Sequence, residues 1–257
     1  MALFVREPGP PLAQFVNAIW LSQGHVPGPH RHERVLPAGD CALIVDLADP
    51  RGYAGVSGPH SCGFEIEVAA QFALGGVAFK PGGAFPFFDV PLHTLANDFV
   101  ALGDVWGGFA SELRERVLEA RTPDEKFAAF EDMLQRRLAS APDRHPGVAY
   151  GIAAFERTPG IPVAEVAGRS GMSHRRFIDR FTREVGLTPK VFCRILRFQR
   201  VLHRVDSGRD VDWTDVALSC GYYDQAHFIH DFQAFAGMTP TMYEQRRVSL
   251  RHVAVLD

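Results

Sequence analysis

The chain has 257 residues, is 46% hydrophobic, and carries a formal net charge of −3. That length suffices for two domains, each with a core of ordinary size, and makes one compact fold the lesser alternative. There is no charged N-terminal region leading into an apolar stretch and a cleavage site, and no apolar run approaches the ~18 residues of a membrane span, so a cytoplasmic protein with no membrane partner is expected.

Charge is divided unevenly along the chain. Residues 1–142 hold 11 Lys and Arg against 17 Asp and Glu, whereas residues 143–250 hold 15 against 12. The C-terminal part is the basic one, which permits a nucleic-acid partner without establishing it. Cys41, Cys62, Cys193 and Cys220 lie far apart with no CxxC pair, so reduced, mostly buried thiols are expected rather than a zinc or redox site.

The first ~100 residues alternate short apolar runs with Gly and Pro, as in 34–47 (RVLPAGDCALIVDL) and 72–89 (FALGGVAFKPGGAFPFFD), the pattern of strands joined by turns. Residues 1–103 are therefore read as a β-rich domain. Within it, Gly24, His30 and His32 open one metal-motif spacing, with His25, His60 and His93 as further imidazoles. Histidines two apart on a strand point to one side, as ligation needs. The carboxylate that should follow is missing, because Glu33 comes too soon and 34–37 offers none. The pair reads more simply as a polar turn, with His30 and His32 kept as metal candidates and no cofactor expected. Lys80, set among Pro81-Gly82-Gly83 and phenylalanines, suits an aromatic pocket or a structural turn, and the ordinary role of Gly and Pro favours the turn. No nucleophile with a base, phosphate-cradling loop or paired carboxylates appear, so no enzymatic activity is expected.

From residue 104 the apolar spacing becomes helical, with helices over 105–120 and 123–139. Pro142 and Pro146 punctuate a junction, which makes 104–142 connecting helices and 143–250 the C-terminal domain. A helix over 147–158 follows, stopped by Pro159-Gly160.

Beyond it the chain repeats itself. Val166-Ala167, Gly171, Phe177, Phe181, Gly186 and Thr188-Pro189 recur as Val216-Ala217, Gly221, Phe228, Phe232, Gly237 and Thr239-Pro240. Each copy supplies a short helix, a glycine for a tight turn, a capping residue (Ser173, Asp224) and a second helix with two phenylalanines four apart on its buried face. This is the grammar of a helix-turn-helix. In the first copy, Arg175, Arg176, Ile178, Asp179, Thr182 and Arg183 are left facing out. In the second, Gln225, Ala226, Ile229, His230 and Gln233 face out, with Asp231 adding negative charge nearby. Arginine can bond guanine or hold phosphate, and glutamine can read adenine. Residues 189–205 form a long basic amphipathic helix between the copies, with Val191, Ile195, Phe198 and Leu202 on one stripe and Arg197 as a candidate phosphate contact.

These residues resemble the AraC/XylS transcriptional regulators over about 100 positions: Gly171-Met172-Ser173, Phe177, Phe181, 186–189 (GLTP), 194–200 (RILRFQR), 217–222, 228–232 and 237–243. The resemblance implies base-proximal roles for Arg175, Ile178, Asp179 and Thr182, and for Gln225, Ala226, His230 and Gln233. Many members carry Arg where this chain has Asp179 and His230, and Lys or Arg where it has Gln233. The N-terminal part is similar to a domain of unknown function, through 34–40 (RVLPAGD), Gly58-Pro59 and 76–84 (GVAFKPGGA). Analogy with the wider family suggests a cupin-like barrel that senses an effector, dimerises, or both.

The fold expected is thus α+β: a β-rich domain, connecting helices, and an all-α domain with two helix-turn-helix units. Its function would be sequence-specific regulation of transcription. Promoter duplex DNA is the expected partner, with a small-molecule effector, RNA polymerase and a second copy of the chain as further candidates. The alternative is a ligand- or metal-binding protein whose helical part serves protein contacts, with weak DNA affinity.

Overall fold

A computed structural model of the chain describes residues 2–25, 31–49, 51–139, 144–205, 213–246 and 253–255. The N-terminal part is built from β1 (Ala2–Arg6), β2 (Val16–His25), β3 (Arg31–Val35), β4 (Ala42–Asp46), β5 (Ala54–Ser57), β6 (Phe64–Val68), β7 (Gln71–Phe79) and β8 (Phe99–Ala101). Six of these form an antiparallel sheet in the order β1-β2-β7-β4-β5-β8. Its long central strands place Ile19 opposite Val77 and Leu21 opposite Gly75. Side chains alternate across a strand, so Ile19, Leu21, Leu43, Val45, Val77 and Phe79 share the buried face.

Three helices, α1 (Leu102–Trp106), α2 (Gly108–Glu119) and α3 (Pro123–Leu138), cover that face. Leu102, Trp106, Leu113, Val117, Phe127, Phe130 and Met133 join the same hydrophobic cluster as the strands. The single helix expected over 105–120 is two, because Gly107 adopts φ 55° and breaks the turn. Helix α3 opens on a capping box in which Thr122 Oγ1 accepts from the Glu125 amide (3.2 Å) and the Glu125 carboxylate accepts from the Thr122 amide (3.1 Å).

The segment 72–89, expected as strands, is strand only as far as Phe79. There the Lys80 amide donates to the Phe15 carbonyl (2.8 Å), its Nζ to the Ala13 carbonyl (2.7 Å), and the Gly83 amide to the Lys80 carbonyl (2.6 Å). The chain then enters a 3-10 turn, Phe85–Phe87. Phe87 packs on Phe15 and Phe79 with ring centroids 5.7 and 5.3 Å apart, so these aromatics fill the core and Lys80 belongs to a structural turn.

The C-terminal part consists of α4 (Pro146–Arg157), α5 (Val163–Arg169), α6 (His174–Val185), α7 (Pro189–Val205), α8 (Trp213–Ser219), α9 (Gln225–Ala236) and α10 (Pro240–Arg246). It has two cores. One gathers Val148, Ile152, Phe155, Val166, Phe177 and Phe181, the other Val216, Tyr222, Phe228, Phe232, Phe235 and Tyr243. Helix α7 serves both: Phe192 and Cys193 enter the first, while Ile195, Phe198, Val201, Leu202 and Val205 enter the second. At 17 residues it is ~25 Å long, a rigid spar between the units.

The two parts of the chain interlock. Leu36, from the loop after β3, is 2% exposed inside the second helical core. Beside it Gln199 Nε2 donates to the Pro37 carbonyl (2.7 Å), and the Gly63 amide donates to the Phe235 carbonyl (2.8 Å). The 3-10 turn Leu92–Leu95 lies against the end of α6, where Gly186 has φ 87°. A Cβ at Gly186 would come within 2.3 Å of Pro59 Cγ and 3.0 Å of the Leu92 carbonyl oxygen. After the second unit the chain returns as β9 (Val253–Val255), which pairs antiparallel with β3 and completes a second sheet, β6-β3-β9. Among the described residues, no helix is long and apolar enough to cross a membrane.

Candidate nucleic-acid interface

In the first unit, α5 and α6 meet through a turn closed by the Met172 amide donating to the Ala167 carbonyl (3.3 Å), with Gly171 at φ 75°. Only a residue without Cβ takes that backbone readily. Ser173 caps α6, its Oγ accepting from the Arg176 amide (3.4 Å). Phe177 and Phe181 are both 0% exposed and pack on Phe155, which fixes the face of α6 that turns inward.

On the other side, the Arg175 side chain is 94% exposed and Asp179 72%, with Arg175 Nε 4.0 Å from Asp179 Oδ2. Arg176 and Arg183 are exposed, while Ile178 and Thr182, expected to face out, are half-buried on the shoulders of the inward face. The Thr182 hydroxyl is enclosed without a hydrogen-bond partner. Sequence reasoning passed over Arg180, although its spacing of four from Arg176 and three from Arg183 puts it on their stripe. Arg180 Nε donates to Glu184, a fully buried carboxylate whose other oxygen accepts from the His145 amide (3.0 Å). The pair thereby ties α6 to the start of α4. An open cleft of about 470 Å³ runs beside α6, lined by Ser173, Arg175, Arg176, Asp179, Arg180 and Arg183, and by His93 of the N-terminal part.

The second unit repeats the construction. The Tyr222 amide donates to the Ala217 carbonyl (3.0 Å), Gly221 has φ 89°, and Asp224 caps α9 by accepting from the His227 amide (2.7 Å). Phe228 and Phe232 are 0% exposed. Gln225, Ala226, His230 and Gln233 are exposed, as is Tyr223, at 87%, in the turn just before them.

Three expectations for this region are corrected. Ile229 does not face out: it is half-buried against the second core, being about 100° round the helix from Phe228 on the shoulder of the buried face. Asp231 adds no charge to the outer surface, since it is 2% exposed and its Oδ1 accepts from Arg194 Nε and Nη2 (3.1 and 2.7 Å). Arg197 is not free for phosphate. Its side chain is 13% exposed, 4.0 Å from Asp231 Oδ2, over the Tyr222 ring at 5.5 Å, and it donates to the Pro159 carbonyl (3.4 Å). A carboxylate taken out of water requires matching cations, and α7 supplies them. The Tyr222 hydroxyl, buried above this cluster, is held protonated by that burial and by the nearby carboxylate of Asp231.

Elsewhere, burial pushes the thiols of Cys41, Cys193 and Cys220 up, that of Cys193 to about 11, so these are packed, unreactive sulfhydryls, whereas Cys62 is exposed. Of the metal candidates, His30 lies outside the described residues and His32 is exposed on β3. His25 and His93 are exposed, and His60 stacks on Phe64 with its pKa lowered by burial. Among the described residues, no group of three His, Cys, Asp or Glu is placed to hold a metal ion.

A β-rich unit interlocked with two helix-turn-helix units on one shared helix is the class of protein that this fold defines. Residues 166–246 match a family model described as a helix-turn-helix domain, and residues 5–101 match a domain of unknown function, DUF6597. The chain therefore carries a helix-turn-helix domain over residues 166–246, preceded by that domain of unknown function. It is 27% identical over 158 residues to a phenylalanine–tRNA ligase β subunit from Aromatoleum aromaticum, a match taking in 51% of this chain and only a fifth (20%) of that protein's length. Among solved structures, a probable AraC family transcriptional regulator from Rhodopseudomonas palustris is 25% identical, with 38% of this chain and 94% of that one covered and a TM-score of 0.35. ToxT from Vibrio cholerae is 9% identical, with 95% and 98% covered and a TM-score of 0.45.

Proposed function

We propose that the chain binds promoter DNA sequence-specifically and changes transcription, with α6 and α9 entering neighbouring major grooves of one duplex. The observation that carries this reading is the paired construction of those helices: each is capped, each buries two phenylalanines, and each leaves its opposite side uncovered. On α6, Arg175 bonds base edges, with Asp179 beside it to orient its guanidinium, Ile178 and Thr182 make the apolar contacts, and Arg176 and Arg183 hold phosphate. On α9, Gln225 and Gln233 read adenine edges, flanked by Ala226 and His230.

Residues 143–250 are the DNA-binding domain in this proposal. Residues 1–103, with the connecting helices 104–142, form the controlling part, which senses a small effector or pairs with a second copy. The interlock through Leu36 and Gln199 supports such control, because a shift of the β-rich part must disturb the core of the second unit. RNA polymerase is the further partner through which transcription would change.

Footprinting on selected genomic fragments tests the proposal: discrete sites protected more strongly than bulk DNA across a range of salt are expected. Arg175→Ala should then relax base preference at one position, at a cost of ~1–3 kcal/mol in discrimination. Uniform protection of all fragments would remove the claim of sequence reading.

A further inference from the structure

We propose that the N-terminal part takes a direct share in the duplex contact: the cleft between the turn Leu92–Leu95 and α6, lined by His93, Arg176, Arg180 and Arg183, holds a phosphate of the DNA backbone. This rests on the DNA-binding function proposed above. Arg176, Arg180 and Arg183 are spaced four and three apart, so they form one stripe along α6. The stripe that begins at Arg175 and continues through Asp179 lies one residue back, about 100° round the helix. A helix in the major groove has base edges in front of it and a sugar-phosphate wall at each side. A duplex read by the first stripe therefore brings one backbone over the second.

His93 lines the same cleft from across α6, on a turn that is held firmly. Leu92 and Leu95 are buried beneath it, Thr94 Oγ1 donates to the Pro91 carbonyl (2.7 Å), and Asn97 Oδ1 accepts from the Ser61 amide (2.7 Å). The close approach of Gly186 to Leu92 and Pro59 keeps that turn against α6. The charge balance in the cleft favours an anion. Its one lining carboxylate, Asp179, is already beside Arg175, and the partner of Arg180, Glu184, is buried below. Among the described residues, neither Arg176 nor Arg183 is in an ion pair.

The test uses the full chain and a random-sequence duplex over a series of salt concentrations, since phosphate contacts carry no sequence and no target is needed. His93→Lys should tighten binding and steepen the slope of log Kd against log salt by about 0.9, the signature of one added phosphate contact. His93→Glu should weaken binding to every duplex by roughly tenfold. His93 is exposed, so both variants should melt as wild type does; if His93→Glu does not fold, the slope for His93→Lys decides. Wild-type binding with unchanged slopes in the variants overturns this inference alone. Failure of the wild type to bind any duplex at low salt overturns the proposed function as well. Inorganic phosphate is the third arm: calorimetric binding that His93→Glu abolishes, with duplex slopes unchanged, would make the cleft a site for a free anion and not for the DNA backbone.

Discussion

The second helix-turn-helix unit repeats the first at an offset of 50 residues as far as the turn glycine and 51 from the cap onward. Ser173 and Asp224 cap α6 and α9, the pairs Phe177/Phe181 and Phe228/Phe232 anchor them, and Gly186 and Gly237 end them in the left-handed conformation. Thr188 and Thr239 then accept from the amides of Val191 and Met242 (3.4 and 3.3 Å) to start the next helix. The charges are not repeated. The position of Arg180 in the first unit is that of Asp231 in the second. Arg180 pairs with Glu184 within its own helix, whereas Asp231 turns inward and binds Arg194 of α7. The packing skeleton was thus duplicated while the electrostatics diverged. Helix α6 presents cations outward, whereas α9 turns its one carboxylate, Asp231, inward and shows an uncharged outer face.

The contrast can be broken most directly at the buried pair. Arg194→Ala strips Asp231 of both its arginine hydrogen bonds and leaves Arg197, 4.0 Å away, as the nearest guanidinium; it should cost about 3–5 kcal/mol in urea unfolding. Arg180→Ala should cost less than half as much, because Glu184 keeps the His145 amide. Equal losses would show that the two pairs do the same job.

Leu36→Ala comes next, at about 2–4 kcal/mol for a leucine removed from a closed core. Amide exchange should rise in α8 and α9 and stay unchanged in α5 and α6. A rise in both units would mean that the β-rich part supports them equally.

An effect of similar size is expected from Asp40, in the loop that follows Leu36. Burial pushes its carboxyl from 3.8 up to about 6, with a backbone hydrogen bond opposing. The folded state therefore binds the proton more tightly than the unfolded one. The resulting stabilisation is complete below pH ~4 and is lost as pH rises through about 6, amounting to roughly 3 kcal/mol at ~1.36 kcal/mol per unit. Asp40→Asn should flatten that slope in unfolding midpoints measured from pH 4 to 7; a wild type that is flat over this window contradicts the burial.

The least effect on stability, near zero, belongs to the outward faces, where binding is the readout. Arg176→Ala with Arg183→Ala should lower the salt slope of duplex binding by up to ~1.8, at ~0.9 per phosphate contact. Gln225→Ala with Gln233→Ala should leave the slope unchanged. A slope change in the second pair would show that the neutral face also meets phosphate.

What could be read from the sequence was local. A serine or aspartate before a helix, a glycine in the turn, phenylalanines four apart and a threonine–proline start are all decided within a dozen residues, and α5 through α9 lie where those signals put them. The buried or exposed fate of a charged side chain is not local. Arg194 and Asp231 are 37 residues apart, and nothing in either helix's own pattern announces that the two meet. Gly107 misled for a related reason: helical spacing continues through it, and only the fit of α1 and α2 on the sheet calls for the break.

By itself, then, the sequence determined the two helix-turn-helix units, their caps and their inward faces, because short-range hydrogen bonds and side-chain periodicity suffice for those. Tertiary structure alone decided that Leu36 completes the second core, that β9 returns to β3, that Arg197 is enclosed and that His93 lies beside α6. Each of these depends on a partner brought near by the whole fold, and periodicity carries no record of such partners.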